Sequence, residues 1–303
     1  MLRLTRLCKS YGNVSVLRDL DLEVEAGEVC AVLGRNGAGK TTLFSVISGI
    51  LPPDSGSMRI AGVDAAIAPR RARSTVGLAP QELSIYPTLD GWANLRLPGR
   101  LAGLRGKDLQ RRIGRLADAL DIRGQLDRPA QVLSGGQKRR LHVAMAMVAG
   151  PPLLLLDEPT AGVDVETRMR LLAEVSRVAT EDGAAVCYST HYFPEVEALG
   201  ATVAILENGQ IMARGSVDAL VNGFEHSEIV LTFDGPAPRL DLSPNGVCEP
   251  SGCTLSVPSE KPNVDVPVVL GLLGASLGRL VSLEILRPSL EAVYLSIVGS
   301  SEP

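Results

Sequence analysis

Aromatic residues are scarce in this sequence, and positive charge does not dominate it. Phe, Trp and Tyr together make up 3% of the 303 residues, and the formal net charge is -4. Proteins that bind nucleic acids usually combine a basic surface with rings that stack on bases. The composition therefore argues against a nucleic-acid partner. With 45% hydrophobic and 21% charged residues, it is typical of a globular protein of about two domains.

Long apolar runs are also missing. A membrane-spanning helix needs about 18 or more consecutive apolar residues. The longest candidate run, Val143–Leu156, is interrupted by Gly150-Pro151-Pro152. The N-terminus carries Arg3, Arg6 and Lys9 and has no apolar signal-peptide core. We therefore expect neither a membrane span nor a secretory signal.

Cysteine is the third scarce residue. The five cysteines are an odd number at scattered positions, which favours a reducing compartment over a disulfide framework. Cys248 and Cys253 are close enough in sequence for a metal or redox pair, but no second pair accompanies them. Two free thiols is the interpretation that we favour.

The sequence does contain a glycine-rich stretch between an apolar run and a helical pattern. The apolar run is Glu28–Leu33, and Leu43–Ser48 has the character of a helix that Gly49 ends. Strand, glycine loop and helix are the context in which the motif G-x-x-x-x-G-K-[ST] binds nucleoside triphosphates. The residues of this glycine loop are Gly34, Arg35, Asn36, Gly37, Ala38, Gly39, Lys40, Thr41 and Thr42.

Each residue type in the glycine loop suits a phosphate ligand. Glycines let backbone N–H groups approach phosphate oxygens without a Cβ clash. The start of the following helix adds a partial positive charge. Lys40 supplies a cation to the outer phosphates, and the Thr41 hydroxyl suits Mg²⁺. We predict that the chain binds a nucleoside triphosphate.

A second anion site is predicted at another helix start. Ser134 is a natural N-cap, and Gly135, Gly136 and Gln137 follow it before a helix predicted over Lys138–Val148. The glycines leave the N-terminus of that helix bare.

Polar residues also stand at the ends of three predicted strands. The carboxyl ends of parallel strands meet at one edge of a sheet, where a glycine loop also lies. Carboxylates there fit metal binding and water activation, whereas a lone histidine is more often structural. The residues are Asp157 and Glu158 after Leu153–Leu156, His191 after Ala184–Ser189, and Gln81 at the end of Val76–Gln81.

Two further features have an ordinary interpretation beside a functional one. Tyr11 lies ahead of the glycine loop and could stack on a base, although a lone tyrosine more often packs. Residues 96–115 carry seven basic residues against the single acid Asp108, and Leu109 and Ile113 begin a helical apolar spacing. The cationic face of this helix is either solvated or meets a polar partner or anionic lipid headgroups.

In order along the chain, these motifs resemble the ATP-binding subunit of an ABC transporter. Tyr11 stands at the position of the family's base-stacking aromatic residue, Gly34–Thr42 match its phosphate loop and Gln81 its glutamine loop. Leu133–Gln137 match the family signature, Leu153–Glu158 the second nucleotide motif, Ala161–Asp164 the aspartate loop and His191 the switch histidine. The chain from about Asn222, which is dense in proline and glycine, and its segment Pro288–Leu295 are similar to drug-exporter subunits of the daunorubicin-resistance type.

The resemblance implies an α/β fold of the P-loop NTPase, ABC type, with residues 1–222 as the ATP-binding domain and a helical subdomain at about 82–150. Residues 223–303 are then a small α+β accessory or dimerisation domain, with one helix predicted near Val268–Leu280. No catalytic cluster is evident in that domain.

The resemblance also implies how the residues act. Two copies hold two ATP molecules between them, and Ser134–Gln137 of each copy reach the nucleotide on the other. Lys40 holds the phosphates with the loop amides, and Glu158 polarises the attacking water. His191 steadies the transition state. The Mg²⁺ ion is arranged by Thr41, Gln81 and Asp157.

The implied partner is a separate membrane-spanning permease at the cytoplasmic face of the membrane, through which a drug-like or lipid-like compound is exported. The family often has Glu where this chain has Ala93, and Gly91, Pro98 and Gly99 predict a poor helix there.

Soluble ABC-type ATPases of translation or DNA maintenance are the alternative function. They usually carry two cassettes or a long insertion between the phosphate loop and the signature, whereas only 94 positions separate Lys40 from Ser134 here. A P-loop kinase would have no use for the signature.

Overall fold

In the computed structural model the polypeptide folds as two units, Met1–Val217 and Asp218–Pro303. The structure describes residues 1–222, 227–241, 247–248, 250–259, 261–286 and 289–299. The strands of the first unit are β1 (Leu2–Tyr11), β2 (Val14–Val24), β3 (Val29–Leu33), β4 (Ser55–Ile60), β5 (Val63–Asp64), β6 (Val76–Ala79), β7 (Leu153–Asp157), β8 (Ala185–Ser189), β9 (Thr202–Glu207) and β10 (Gln210–Ser216).

A largely parallel sheet in the order β10-β9-β3-β8-β7-β6 forms the centre of this unit. Neighbouring strands are parallel except for the antiparallel edge strand β10. Every residue of β3, β7 and β8 is buried, as expected for parallel strands covered on both faces. The carboxyl ends of β3, β6, β7 and β8 therefore lie at one edge of the sheet.

The strands β2, β1, β4 and β5 form a second, antiparallel sheet. Burial alternates at the start of β1, where Leu2 and Leu4 point inward and Arg3 outward, so one face of this sheet is solvated. The inward residues share a hydrophobic core with Leu43 and Phe44, which lie on the helix that follows the glycine loop. This core fixes the direction in which that helix leaves the loop.

The helices of this unit pack around the central sheet, and α3, α4 and α5 follow one another between β6 and β7. None of the helices in the described residues is long and apolar enough to cross a membrane. The helices are α1 (Lys40–Ile47), α2 (Pro69–Arg73), α3 (Gly91–Leu101), α4 (Gly106–Ala119), α5 (Gly135–Met147), α6 (Val165–Thr180), α7 (Phe193–Ala198) and α8 (Val217–Asn222), the last of which crosses the unit boundary.

The prediction of a poor helix around Ala93 is wrong, because α3 runs without a break over Gly91–Leu101. Asp90 caps its N-terminus by accepting a hydrogen bond from the Ala93 N–H at 2.6 Å. The pair Pro98-Gly99 lies inside the helix, where a Cβ on Gly99 would come within 2.4 Å of Leu109. The glycine allows α3 and α4 to approach closely, and this packing offsets its low helix propensity.

The second unit has its own core, built around Ile229, Leu231 and Leu255. Its main sheet has the order β14-β11-β15, and β12 pairs with β13. Its elements are β11 (Ser227–Phe233), β12 (Leu240–Asp241), β13 (Val247–Cys248), β14 (Thr254–Ser259), α9 (Pro262–Leu272), β15 (Leu280–Leu286) and α10 (Leu290–Gly299).

The helix predicted near Val268–Leu280 begins earlier and ends earlier than expected. It starts at Pro262, a residue whose fixed φ suits the first turn of a helix. Leu273 is its C-cap, and Gly274 follows with a φ of 52° and opens a 3₁₀ turn. Pro288, the first residue of the segment that resembles drug-exporter subunits, lies outside the described residues.

Candidate functional site

The glycine loop joins the end of β3 to the start of α1, as predicted. Gly37 and Gly39 have φ values of 86° and 109°, which favour glycine because a Cβ is strained there. A Cβ on Gly34 would lie 2.5 Å from the Leu206 carbonyl oxygen. The N-cap residue of α1, Gly39, makes no side-chain cap, so the first N–H groups of α1 remain available to an anion.

Lys40 is folded back onto the glycine loop. Its Nζ donates to the Gly34 carbonyl at 2.7 Å and to the Arg35 carbonyl at 3.1 Å, and the residue is buried. Burial lowers the pKa of Lys40, and the charges of Glu158 and Asp157 oppose that shift. A desolvated ammonium group beside bare backbone N–H groups is well placed to bind phosphate.

Asp157 lies at the end of β7 with both carboxylate oxygens engaged. Thr41 Oγ1 donates to its Oδ2 at 2.9 Å, and Ser189 Oγ donates to its Oδ1 at 2.5 Å. Asp157 pairs with Ser189 in the register of β7 and β8. The structure therefore brings the predicted metal residues Thr41 and Asp157 together, and their oxygen atoms are the donors that Mg²⁺ prefers.

Glu158 stands one residue beyond the strand, in a left-handed backbone conformation with a φ of 48°. Its N–H donates to Ser189 Oγ at 2.9 Å, which holds the strained residue in place. Its carboxylate accepts from Gln81 Nε2 at 3.3 Å and lies 3.4 Å from His191 Nδ1. The three residues predicted to be catalytic thus meet at one point, beside Asp157.

The residues Ser134–Gln137 form the N-terminus of α5, with a capping box. The Gln137 N–H donates to Ser134 Oγ at 3.3 Å, and the Ser134 N–H donates to Gln137 Oε1 at 3.0 Å. Ser134 and Gly135 are exposed, and a Cβ on Gly135 or Gly136 would meet no atom within 4 Å. The start of α5 is therefore an open, ordered surface.

Tyr11 occupies the end of β1, opposite Val14 in the hairpin with β2. Its side chain is about half exposed, at 49%. The ring therefore does not pack in the core, which was the ordinary interpretation of a lone tyrosine. An exposed ring ahead of the glycine loop is consistent with stacking on a base.

Sequence reasoning missed two residues that hold the site together. Ser189 contacts both Asp157 and Glu158, and the only signal for it was its place at the end of a predicted strand. Arg139 Nη1 donates to the Gln81 carbonyl at 2.7 Å across 58 positions of sequence. No local pattern indicates that contact, because arginine is common on helix surfaces.

Glu195 is a third residue that sequence reasoning missed. It lies at the centre of a buried hydrogen-bond network next to the residue that precedes His191. Its carboxylate accepts hydrogen bonds from Thr160 at 2.7 Å, Tyr188 at 2.9 Å and Thr190 at 2.7 Å. It therefore ties the backbone on either side of the site, after β7 and after β8, to the same buried group.

The cysteines are all free in the structure. Among the described residues no group of three or more His, Cys, Asp and Glu side chains could hold a metal ion. The free state of Cys248 and Cys253 agrees with the favoured interpretation of them as two thiols.

Comparison with known proteins places these residues in a family. The sequence profile described as "ABC transporter" matches residues 17–161. The chain is 30% identical to the linearmycin resistance ATP-binding protein LnrL of Bacillus subtilis (strain 168), over 99% of this chain and 98% of that protein. It is 32% identical to the daunorubicin resistance ATP-binding protein DrrA2 of Streptomyces coeruleorubidus, over 96% and 92%. It is 33% identical to the Nod factor export ATP-binding protein I of Sinorhizobium fredii, over 98% and 86%.

Solved structures agree with the fold. A structure described as the ATP-binding subunit of an ABC transporter matches with a TM-score of 0.70 and 29% identity, over 74% of this chain and 93% of that one. A dimeric bacterial ABC transporter cassette matches with a TM-score of 0.66 and 23% identity, over 71% and 98%, and that likeness concerns the fold alone. The predicted ABC-type α/β fold is confirmed. Since relatives at 30% identity or more align along almost the whole chain, this protein belongs to the ABC transporter family, as one of its ATP-binding ATPases.

Proposed function

We propose that this chain powers the export of a drug-like or lipid-like compound through a separate membrane-spanning permease, working as a peripheral subunit at the cytoplasmic face of the membrane. The observation that carries the proposal is the length of the alignments. Relatives named for linearmycin resistance, daunorubicin resistance and Nod factor export align over 96–99% of the chain, well beyond the matched segment 17–161. The similarity therefore includes the second unit.

The proposed catalytic unit is a homodimer with ATP at its interface. The start of α5 is open and ordered, and the glycine loop presents bare N–H groups, so each is half of an anion site. A two-fold axis that faces each glycine loop toward the other copy's Ser134–Gln137 completes two equivalent sites. Tyr11 stacks on the adenine in this arrangement.

Within each site, the residues of one copy position the triphosphate. Lys40 Nζ exchanges its carbonyl contacts at Gly34 and Arg35 for the β- and γ-phosphates, while the amides of Gly37–Thr42 surround them. The oxygens of Thr41, Asp157 and Gln81 would hold Mg²⁺, since a carboxylate, a hydroxyl and an amide carbonyl are hard donors that suit this ion. Bound Mg²⁺ neutralises phosphate charge during phosphoryl transfer.

Water activation falls to Glu158. Its carboxylate is oriented by Gln81 and His191, and the Ser189 contact fixes its backbone. A carboxylate held in this way accepts a proton from water as the water attacks the γ-phosphate. His191, whose side chain is 75% exposed, donates to the γ-phosphate and stabilises the charge that develops there.

The export proposal is tested in the organism that carries this chain. Deleting the gene should sensitise cells to an amphipathic antibiotic and raise the retention of fluorescent daunorubicin, the probe to be measured. Wild-type protein restored on a plasmid should reverse both effects, whereas a Glu158→Gln chain should reverse neither. If a panel of such compounds shows no change on deletion, or if the Glu158→Gln chain complements, export powered by this ATPase is excluded.

The second unit is proposed to support dimer persistence or docking on the permease. Removing residues 223–303 should leave the ATP dissociation constant within about threefold, a change under roughly 1 kcal/mol, because all proposed nucleotide contacts lie at or before His191. The fraction of dimer in the presence of ATP should fall, as measured by light scattering after gel filtration. A soluble, monodisperse truncated protein that binds no ATP would contradict the proposed boundary at Asn222.

A further inference from the structure

Two side chains of helix α5 form hydrogen bonds with backbone atoms of the segment that contains Gln81. Arg139 Nη1 donates to the Gln81 carbonyl oxygen at 2.7 Å, and the Ser84 N–H donates to His142 Nε2 at 3.3 Å. Arg139 and His142 are three positions apart, so both lie on one face of α5. We call Gln81–Ser84 the glutamine segment.

The chemical state of both helix residues suits these contacts. His142 is 2% exposed, and burial, helped by the charge of Arg139, lowers the pKa of His142 to about 4. Its imidazole is therefore neutral near pH 7, and Nε2 is an acceptor. Burial also lowers the pKa of Arg139, and the charges of Glu158 and Asp157 oppose that shift.

The loop that contains the glutamine segment runs from β6 to α3, and its other end is hydrogen-bonded to α3. Asn94, on α3, is fully buried and accepts from the Tyr86 N–H at 2.8 Å. Its Nδ2 donates to the carbonyls of Tyr86, Leu89 and Asp90. The loop is thus anchored on α3 at one end and on α5 at the other. A displacement of α5 relative to β6 acts on the glutamine segment directly.

The start of α5 and Arg139 belong to one continuous helix. Ser134 and Arg139 are five positions apart, about 7.5 Å along a helix axis. The capping box between Ser134 and Gln137 keeps the intervening turn regular. An anion that binds at Ser134–Gln137 and shifts this helix end therefore also shifts the guanidinium that holds the Gln81 carbonyl, while the Gln81 side chain contacts Glu158.

We infer that Arg139 is a positioning residue that couples the two ATP sites of the dimer: it transmits displacement of Ser134–Gln137, which contact the nucleotide on the partner copy, to Gln81 in the site of its own chain. The inference rests on the proposed dimer, in which the start of α5 serves the other copy's nucleotide. It assigns a role to a residue that is not among the proposed nucleotide contacts and that acts through Gln81 and Glu158. His142 supports the same role by holding Ser84.

The test compares three arginine variants. Arg139→Met keeps the length of the side chain without its donors, and Arg139→Lys keeps one donor. Arg140→Met is the matched control, because Arg140 lies beside Arg139 on α5 and donates to the carbonyls of Leu120 and Asp121 instead of the Gln81 carbonyl. For each folded variant, the dissociation constant of ATP, kcat and the Hill coefficient of the ATP dependence are measured.

Arg139→Met is expected to lower kcat about tenfold or more, because a small misplacement of positioning groups is costly in catalysis. ATP affinity should stay within about threefold, and the Hill coefficient should fall toward about 1 as coupling is lost. Arg139→Lys should recover most of both losses. Arg140→Met should keep the wild-type Hill coefficient even if its melting temperature falls.

A second pair of variants keeps the test valid if Arg139→Met does not fold. His142→Gln retains an acceptor for the Ser84 N–H and should behave like wild type, whereas His142→Leu should lower the Hill coefficient. Unchanged kcat and cooperativity in Arg139→Met and His142→Leu would overturn the coupling role, as would equal effects in Arg140→Met. Wild-type protein that lacks ATPase activity or an ATP-dependent dimer would instead contradict the proposed function, which separates the two failures.

Discussion

Replacing Glu158 with glutamine is expected to lower kcat for ATP hydrolysis by about 100-fold or more, the usual contribution of a positioned general base. The amide has nearly the same shape as the carboxylate and can keep a contact with Gln81, so the site should stay assembled. It cannot accept the proton of the attacking water. Phosphate release under saturating ATP measures the loss.

The same variant should retain ATP and accumulate as an ATP-bound dimer, because opening of the dimer would follow hydrolysis. Gel filtration with light scattering in the presence of ATP and Mg²⁺ would show the shift. Glu166→Gln is the matched control: Glu166 is exposed on α6 and pairs with Arg170 four positions away, so its loss should change neither kcat nor the dimer fraction. Turnover near wild type in the Glu158→Gln protein would remove Glu158 from the mechanism.

Mixing two inactive variants is expected to restore ATPase activity. Lys40→Ala removes a buried cation that is surrounded by loop carbonyls and bare N–H groups. Without the desolvated ammonium group that pairs with the phosphates, the free energy of ATP binding should weaken by on the order of 2–5 kcal/mol. Ser134→Arg blocks the open start of α5 with a large side chain. Each homodimer should therefore be inactive, because both of its sites carry a lesion.

In the mixed dimer, one site receives both lesions and the other receives neither, provided that each site combines Lys40 of one copy with Ser134 of the other. Random pairing of equal amounts makes half of the dimers mixed, so activity should reach at most about a quarter of wild type, the value for an intact site that turns over independently of the damaged one. Lys40→Ala paired with wild type, which also leaves one intact site, measures whether a single site turns over. The informative result would be ATPase activity in the mixture of Lys40→Ala with wild type but none in the mixture of Lys40→Ala with Ser134→Arg, although heterodimers form in both. In that case Lys40 and Ser134 do not meet across the interface.

The glycine loop illustrates what local sequence is sufficient to predict. Its function depends on backbone conformations that glycine adopts at no cost, such as those of Gly37 and Gly39. Its position follows from the apolar run of β3 before it and the helix after it. The strand-end residues Asp157 and His191 were predictable for a similar reason, since buried parallel strands are continuous apolar runs whose carboxyl ends share one edge.

Helix α3 illustrates where local sequence misled. Intrinsic propensity counts Gly99 as a weakness, but the structure uses its missing side chain to let Leu109 of α4 approach. A propensity scale contains no information about which residue will lie opposite. The same limit shifted the bounds of α9, where Pro262 begins the helix and Gly274 follows its end.

Local motifs thus predicted that the chain binds a nucleoside triphosphate, and the family resemblance that they carry supplied the residues proposed to hold and hydrolyse ATP. The contacts that align those residues depend on the tertiary structure. Ser189 meets Asp157 because of the register between β7 and β8, and Arg139 meets Gln81 because α5 packs against the loop after β6. Such hydrogen bonds join positions tens of residues apart, and their formation requires a close approach of backbones that neither periodicity nor residue type at one position can specify.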